Sequence, residues 1–133
     1  MSITTIAINT CGKKNGGKTS FCVFFTSADV SGAEIIKAVP TGDTALYLEA
    51  IHLYCAEAIA VTIGEGQDGT GTSVKAAIIG PLVMAKSVSA VGVTPATQFN
   101  HHFKSLVKLT DALDLTIDGS AGTISGIAEG FSM

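Results

Sequence analysis

The sequence predicts an all-β fold, an antiparallel β-sandwich of about eight short strands. Three observations predict it. Short runs of alternating apolar residues recur along all 133 residues, separated by turns rich in Gly, Pro, Asn and Asp. β-Branched and aromatic residues dominate several of these runs. The chain also lacks the alternation of strands with long helical segments that a parallel α/β sheet requires. Its length is that of one domain, residues 1–133, which is enough to bury a core without staples.

The elements follow in order. Ile3 to Thr10 alternates with Ile6 and Ile8 on one face and reads as a first strand. Asn15-Gly16-Gly17 reads as a hairpin turn, because Asn and Gly supply positive φ angles. Ser20 to Thr26 is aromatic and β-branched, a second strand. Ala28 to Gly32 is a polar turn, and Glu34 to Val39 a short strand closed by Pro40 and Gly42.

The densest apolar stretch runs from Thr44 to Gly66. Leu46 and Leu48 share one strand face, whereas Ile51 and Leu53 share a face in the opposite phase. A β-bulge at Ala50-Ile51 produces such a slip. A helix capped by Asp43, with Leu46, Ala50 and Leu53 on one stripe, is the competing reading. Ile59, Val61 and Ile63 alternate cleanly and end at glycine. Gln67 to Ser73 is a loop. Val74 to Ile79 is a strand that Gly80-Pro81 is expected to end, since Pro cannot donate to a ladder. Lys86 to Val93 is another short strand and Thr94 to His102 a loop. Phe103 to Leu109 is compatible with helix or strand. Leu113, Leu115 and Ile117 alternate, Gly119 to Gly122 turns the chain, and Thr123 to Phe131 forms the last strand.

Composition bounds the function. Charged residues make up only 14% of the chain, against roughly 25% in an average domain. A monomer of this composition lacks the charge to cover an ordinary surface, so a homo-oligomer or multi-subunit particle is expected. All 8 basic residues are lysine and the net charge is -3, which gives no reason to expect a nucleic-acid partner. Mean hydropathy is +0.47, yet no run of about 18 apolar residues suits a spanning helix, and no membrane partner is expected. MSITTIAINT has no basic n-region, so a secretory signal is not expected. Cys11, Cys22 and Cys55 are odd in number and lack CxxC spacing, and they read as small apolar side chains rather than disulfides or zinc ligands.

Several motifs invite chemistry. Gly12 to Thr19, with Gly12, Gly17, Lys18 and Thr19 at the defining positions, matches the phosphate-loop pattern GxxxxGK[ST] letter for letter. That loop must open a helix, whereas a strand-like segment follows here. The hairpin reading therefore replaces the nucleotide site, and Asp118 is a turn residue rather than a magnesium ligand. His52, His101 and His102 lack metal spacing, and adjacent histidines on a strand point to opposite faces. Glu49, Glu57, Asp111, Asp114 and Asp118 read as isolated carboxylates on exposed faces or in turns rather than as a glycosidase pair. Asp43, Glu65 and Asp68 lie in Gly-rich loops where calcium chemistry is conceivable, but the EF-hand spacing is absent. No cofactor, metal or catalytic residue is assigned, and the protein is expected not to be an enzyme.

The central LYLEAIHLY strand, the VTIGEG turn, the AAIIGP strand end and the LDLTIDGSAGTISGIAEGF close cover roughly Thr44 to Phe131. In order and in overall length these pieces resemble the small jelly-roll decoration, or cement, proteins of tailed-phage capsids. The resemblance implies a jelly roll, a homotrimer docked on a major capsid protein at local symmetry axes, and no catalysis. It also implies location on the virion surface after assembly in the host cytoplasm, with residues 1–43 as strands or an arm touching a partner. Such a protein gains affinity from many copies presented on a lattice. Tyr47, Ile51, Leu53 and Tyr54, on a strand apolar on both faces, are the candidate subunit-interface residues. The alternative is a receptor- or glycan-binding β-sandwich of a phage tail or adhesin, against which the absence of Trp counts.

Overall fold

The computed structural model describes residues 3–9, 14–15, 17–27, 32–55, 58–84, 97–120 and 122–133. Ten strands are described: β1 (Ile3–Asn9), β2 (Lys14–Asn15), β3 (Lys18–Ser27), β4 (Glu34–Lys37), β5 (Leu46–Cys55), β6 (Ile59–Gln67), β7 (Val74–Met84), β8 (Thr97–Lys108), β9 (Leu115–Gly119) and β10 (Ile124–Ser132). They form two antiparallel sheets. One has the order β1-β3-β10-β5-β8, with β2 attached to β3; the other has the order β4-β9-β6-β7.

The pairing has a simple generator. β6 pairs with β7, β5 with β8, β4 with β9 and β3 with β10. The chain is thus one long hairpin with its tip between β6 and β7, rolled so that all the connections from β3 onward except the tip itself cross between the sheets. Rolling brings β10 beside β5 and β9 beside β6. This is the jelly roll, an eight-stranded double Greek key, with β1 added along the outer edge of β3.

Period-2 alternation builds the core. In β3, Phe21, Val23, Phe25 and Ser27 point inward and are buried, while Cys22, Phe24 and Thr26 point outward. Leu46, Leu48, Ile51 and Leu53 of β5 face Ile59, Val61 and Ile63 of β6 across the sandwich, together with Leu115 and Ile117 of β9. Full burial of each such side chain contributes about 1.5–3 kcal/mol.

Three sequence expectations meet the structure here. Leu46–Cys55 is strand throughout, so the helical alternative falls. The register with both β10 and β8 shifts between Leu48 and Ala50, so the expected bulge is present but lies at Glu49-Ala50, one residue before Ala50-Ile51. Lys14 pairs with Thr19 and Asn15 with Lys18 around a turn in which Gly17 has φ 81°. Lys18 then opens a strand, not the helix a phosphate loop needs. Gly12 lies outside the described residues.

Two expectations are corrected. Gly80-Pro81 does not end its strand. β7 runs through a cis Gly80–Pro81 peptide to Met84. The ladder tolerates it because β7 is an edge strand among the described strands and because Gly80 and Pro81 together stand opposite Thr62 in a bulge. The loop expected from Thr94 to His102 is largely strand, since β8 begins at Thr97. Its polar residues Gln98, Asn100 and His102 belong to the exposed outer side of a sheet rather than to a connection. The strand expected at Lys86 to Val93 falls outside the described residues.

Glycine permits close strand approach in β10. A Cβ on Gly126 would lie 2.6 Å from the Phe25 ring and 2.7 Å from the His52 carbonyl oxygen. One on Gly130 would collide with the Tyr47 carbonyl oxygen. Only glycine lets β10 fit between β3 and β5 at these points.

Candidate functional site: the outer face of the larger sheet

The alternation that buries one side of β3, β10, β5 and β8 aligns the other side into cross-strand rows. Phe24, Ile127, His52 and Asn100 stand side by side on successive strands. Thr26, Ser125, Tyr54 and Gln98 form the next row. Together they line an open depression of about 360 Å³, floored by Phe25, Leu53 and Gly126, within the size range of small-molecule sites. Phe24 is 37% exposed and Tyr54 47%. The two hydroxyls of Thr26 and Ser125 are 3.1 Å apart and hydrogen-bonded. His52 Nδ1 lies 2.8 Å from Asn100 Oδ1. The His102 ring meets His52 edge-on at 5.2 Å between centroids.

Further along the same face, Ser20, Cys22, Glu49 and Glu129 line a smaller depression of about 240 Å³. The Cys22 thiol is directed at Glu129 Oε1, 3.9 Å away. Beyond it the Tyr47 and Phe131 rings stack at 4.7 Å, and Lys18 Nζ lies 4.7 Å over Phe131, in cation–π geometry.

The structure divides the four interface candidates. Ile51 and Leu53 are fully buried in the sandwich core, out of reach of a second subunit. Tyr47 and Tyr54 face outward on β5, at opposite ends of it. The expectation of a strand apolar on both faces therefore fails for β5, because the bulge at Glu49-Ala50 returns Ile51, Leu53 and Cys55 to the core side and leaves Tyr47, Glu49, His52 and Tyr54 outside, with Ala50 covered among them beside Glu129 and His102.

The histidines separate as strand alternation demands. His102 joins His52 on the outer face, whereas His101 lies between Phe99, stacked at 6.0 Å, and Phe103, edge-on at 4.6 Å. Among the described residues no three His, Cys, Asp or Glu side chains gather as a metal site requires.

Most of the carboxylates expected in loops and turns hold the chain together, and two of them, Glu65 and Asp118, lie within β6 and β9 instead. Glu65 accepts bonds from the Thr110 backbone N–H (2.7 Å) and hydroxyl. Asp114 accepts the Val39 N–H at 3.0 Å, and Asp118 that of Val74. Asp43 accepts the Ser132 hydroxyl at 2.6 Å. Asp68 accepts the Thr70 hydroxyl at 2.8 Å and the Thr70 and Thr72 N–H groups at 3.0 and 3.1 Å. The Thr70 hydroxyl bond, helped by the Thr72, Thr70 and Ser73 backbone N–H groups, holds its carboxyl below the ordinary value of 3.8 against the opposing effect of desolvation. Asp111 pairs with Lys108 on the surface at 3.3 Å. Glu57 lies outside the described residues.

Sequence reading did not single out Phe24, Thr26, Gln98, Asn100, Ser125 or Ile127 as site residues. One signal was available: in a strand, adjacent Phe24 and Phe25 cannot both face the core. Their meeting with β5 and β8 depends on pairings between residues far apart in sequence.

Comparison with protein-family models and with curated proteins returns no match to this chain.

Proposed function

We propose that this protein is a non-catalytic structural virion protein, a capsid decoration subunit that binds the capsid surface as an oligomer, with a trimer as the form the family resemblance implies. The reading rests on one observation above the others: a chain with only 14% charged residues leaves its most apolar edge strand outside. Val83 of β7 is 76% exposed, and of that strand only Met84 is buried. β7 touches β8, whose Leu106 is 48% exposed, so two edge strands meet on one side of the sandwich. Each has one sheet neighbour among the described strands, and unpaired, apolar edges are where other chains add. The jelly roll is compatible with this role and also serves other roles, since the same fold is used for capsid and lectin domains.

Light scattering on the purified protein tests the oligomer. A mass near three times 13.5 kDa is expected, and a monomer at micromolar concentration would remove the basis of the reading. Co-sedimentation with capsids built from the major capsid protein tests the docking.

A second reading, a receptor- or glycan-binding module of a tail or adhesin, is favoured by a different observation, the aromatic and amide-lined depression on the larger sheet.

A further inference from the structure

We propose that the depression formed by β3, β10, β5 and β8 is a binding site for a neutral saccharide, with Tyr54 and Phe24 as stacking faces and Gln98, Asn100 and Ser125 as hydrogen-bonding groups. This deepens the second reading above and rests on it. It is also compatible with the first, since a decoration subunit that carries such a site displays it on the particle.

The chemistry of the lining selects the ligand class. Its residues include no Lys, Arg, Asp or Glu, and its one imidazole, His52, is engaged through Nδ1 with Asn100 Oδ1, so no fixed charge there compensates a phosphate, a sulfate, a carboxylate or an ammonium group, and a charged ligand would lose hydration for little return. What is offered is chiefly two side-chain amides, two hydroxyls and a phenol, with the His52 imidazole, beside exposed rings. Amides and hydroxyls both donate and accept, as the hydroxyls of a sugar do. The apolar C–H face of a pyranose matches the flat face of an exposed aromatic ring, and Tyr adds a polar handle at its edge.

Position supports the same choice. The aromatic and polar groups sit on four adjacent strands of one sheet rather than on loops, so their spacing is set by the ladder. The His52–Asn100 hydrogen bond orients the Asn100 amide before any ligand arrives, which lowers the ordering needed on binding. A volume of about 360 Å³ that is open along one side suits one or two sugar rings of a longer chain.

The test is a backbone-amide NMR titration of the full chain with glucose, galactose, mannose, N-acetylglucosamine, lactose and maltose. At least one is expected to produce saturable shifts centred on Phe24, Tyr54, Asn100 and Ile127, with a dissociation constant of about 1 mM, equivalent to roughly −4 kcal/mol. Tyr54→Ala and Phe24→Ala should each weaken binding at least about tenfold, a change of roughly 1.4 kcal/mol, while Tyr54→Phe keeps the stacking face and loses less. Both side chains are exposed, so the unaltered remainder of each variant's spectrum reports an intact fold. Absence of saturable shifts with all six sugars overturns the proposal. So do shifts that Tyr54→Ala and Phe24→Ala leave unchanged, or a preference for sialyllactose over lactose. The oligomer mass and the capsid co-sedimentation are read separately, so loss of the saccharide site and loss of the decoration role are distinguishable.

Discussion

β5 and β7 are built from much the same kind of residue, LYLEAIHLYC and VKAAIIGPLVM, and are of nearly equal length. Their fates differ. β5 lies between β10 and β8 and buries Leu46, Leu48, Ala50, Ile51, Leu53 and Cys55. Among the described strands β7 has β6 on one side only, and it buries Met84 alone, with Ile78, Ile79 and Leu82 half-buried against the core. Apolar composition thus says that a strand will seek a partner surface, and the position in the sheet says whether the chain itself provides it. β5 finds that surface within the subunit. The outward side of β7 remains for another molecule, which is why the oligomer reading rests on β7 rather than on the β5 residues that apolar density first indicates.

The comparison can be broken most forcefully at the core. Leu53→Ala should destabilise by about 2–5 kcal/mol, because it removes buried methyl groups and leaves a cavity. Measured at a dilution where the subunit is monomeric, Val83→Ala should stay within about 0.5 kcal/mol, as for an ordinary surface change. Chemical denaturation at fixed protein concentration compares them, and similar losses for the two would mean that β7 is not the outer edge. Next in size is Gly126→Ala, expected to cost about 1–3 kcal/mol by driving a methyl group against the Phe25 ring and the His52 carbonyl. That result would locate the tightness at β5 and its neighbours. For β7 the informative change is Val83→Lys combined with Leu106→Lys. Light scattering should then give 13.5 kDa with the circular dichroism spectrum unchanged. An oligomer that survives both lysines would place the contact elsewhere.

Two smaller effects probe how each strand is held at its end. Ala112 has φ 65° and donates its N–H to Thr44 O, 2.9 Å away, just before β5. Relief of a left-handed alanine by glycine is worth about 1–2 kcal/mol, offset by about 0.5–1 kcal/mol of glycine entropy. Ala112→Gly should therefore raise the melting temperature slightly. Asp68 organises the β6–β7 turn, and its carboxyl is held below 3.8 by the Thr70 hydroxyl and the turn N–H groups. A carboxyl whose pKa is lower in the folded state adds stability above its unfolded value and loses it as pH falls through the folded value. The melting-temperature difference between the native chain and Asp68→Asn should therefore be constant above about pH 5 and fade below pH 3.8. As the carboxylate is solvent-exposed, this is the smallest of the expected effects.

Local pattern carried a good part of this fold. The alternation at Ile59, Val61 and Ile63, the existence of a phase slip just before Ile51 and the turn at Asn15 to Gly17 are read within a few residues, because side-chain period and φ preference are short-range properties. The same logic failed at Gly80-Pro81, where local chemistry indicated a break. An edge position and a bulge opposite Thr62 made the proline acceptable, and neither is visible within a few residues. It failed again for Ile51 and Leu53, which are core rather than interface. The candidate binding face was the least legible part. Phe24, His52, Asn100 and Ile127 are brought together only by ladders joining residues far apart in the chain.

The sequence by itself therefore determined an antiparallel sandwich, the location of most strands and the shortage of surface charge, since these follow from periodicity, propensity and composition. Tertiary structure alone decided which strands became centre and which became edge, and which outward side chains met. The physical reason is the rolled hairpin. Pairing β3 with β10, β4 with β9, β5 with β8 and β6 with β7 is a long-range choice, made by burying the inward residues of both sheets at once, and it places every outward residue as a consequence.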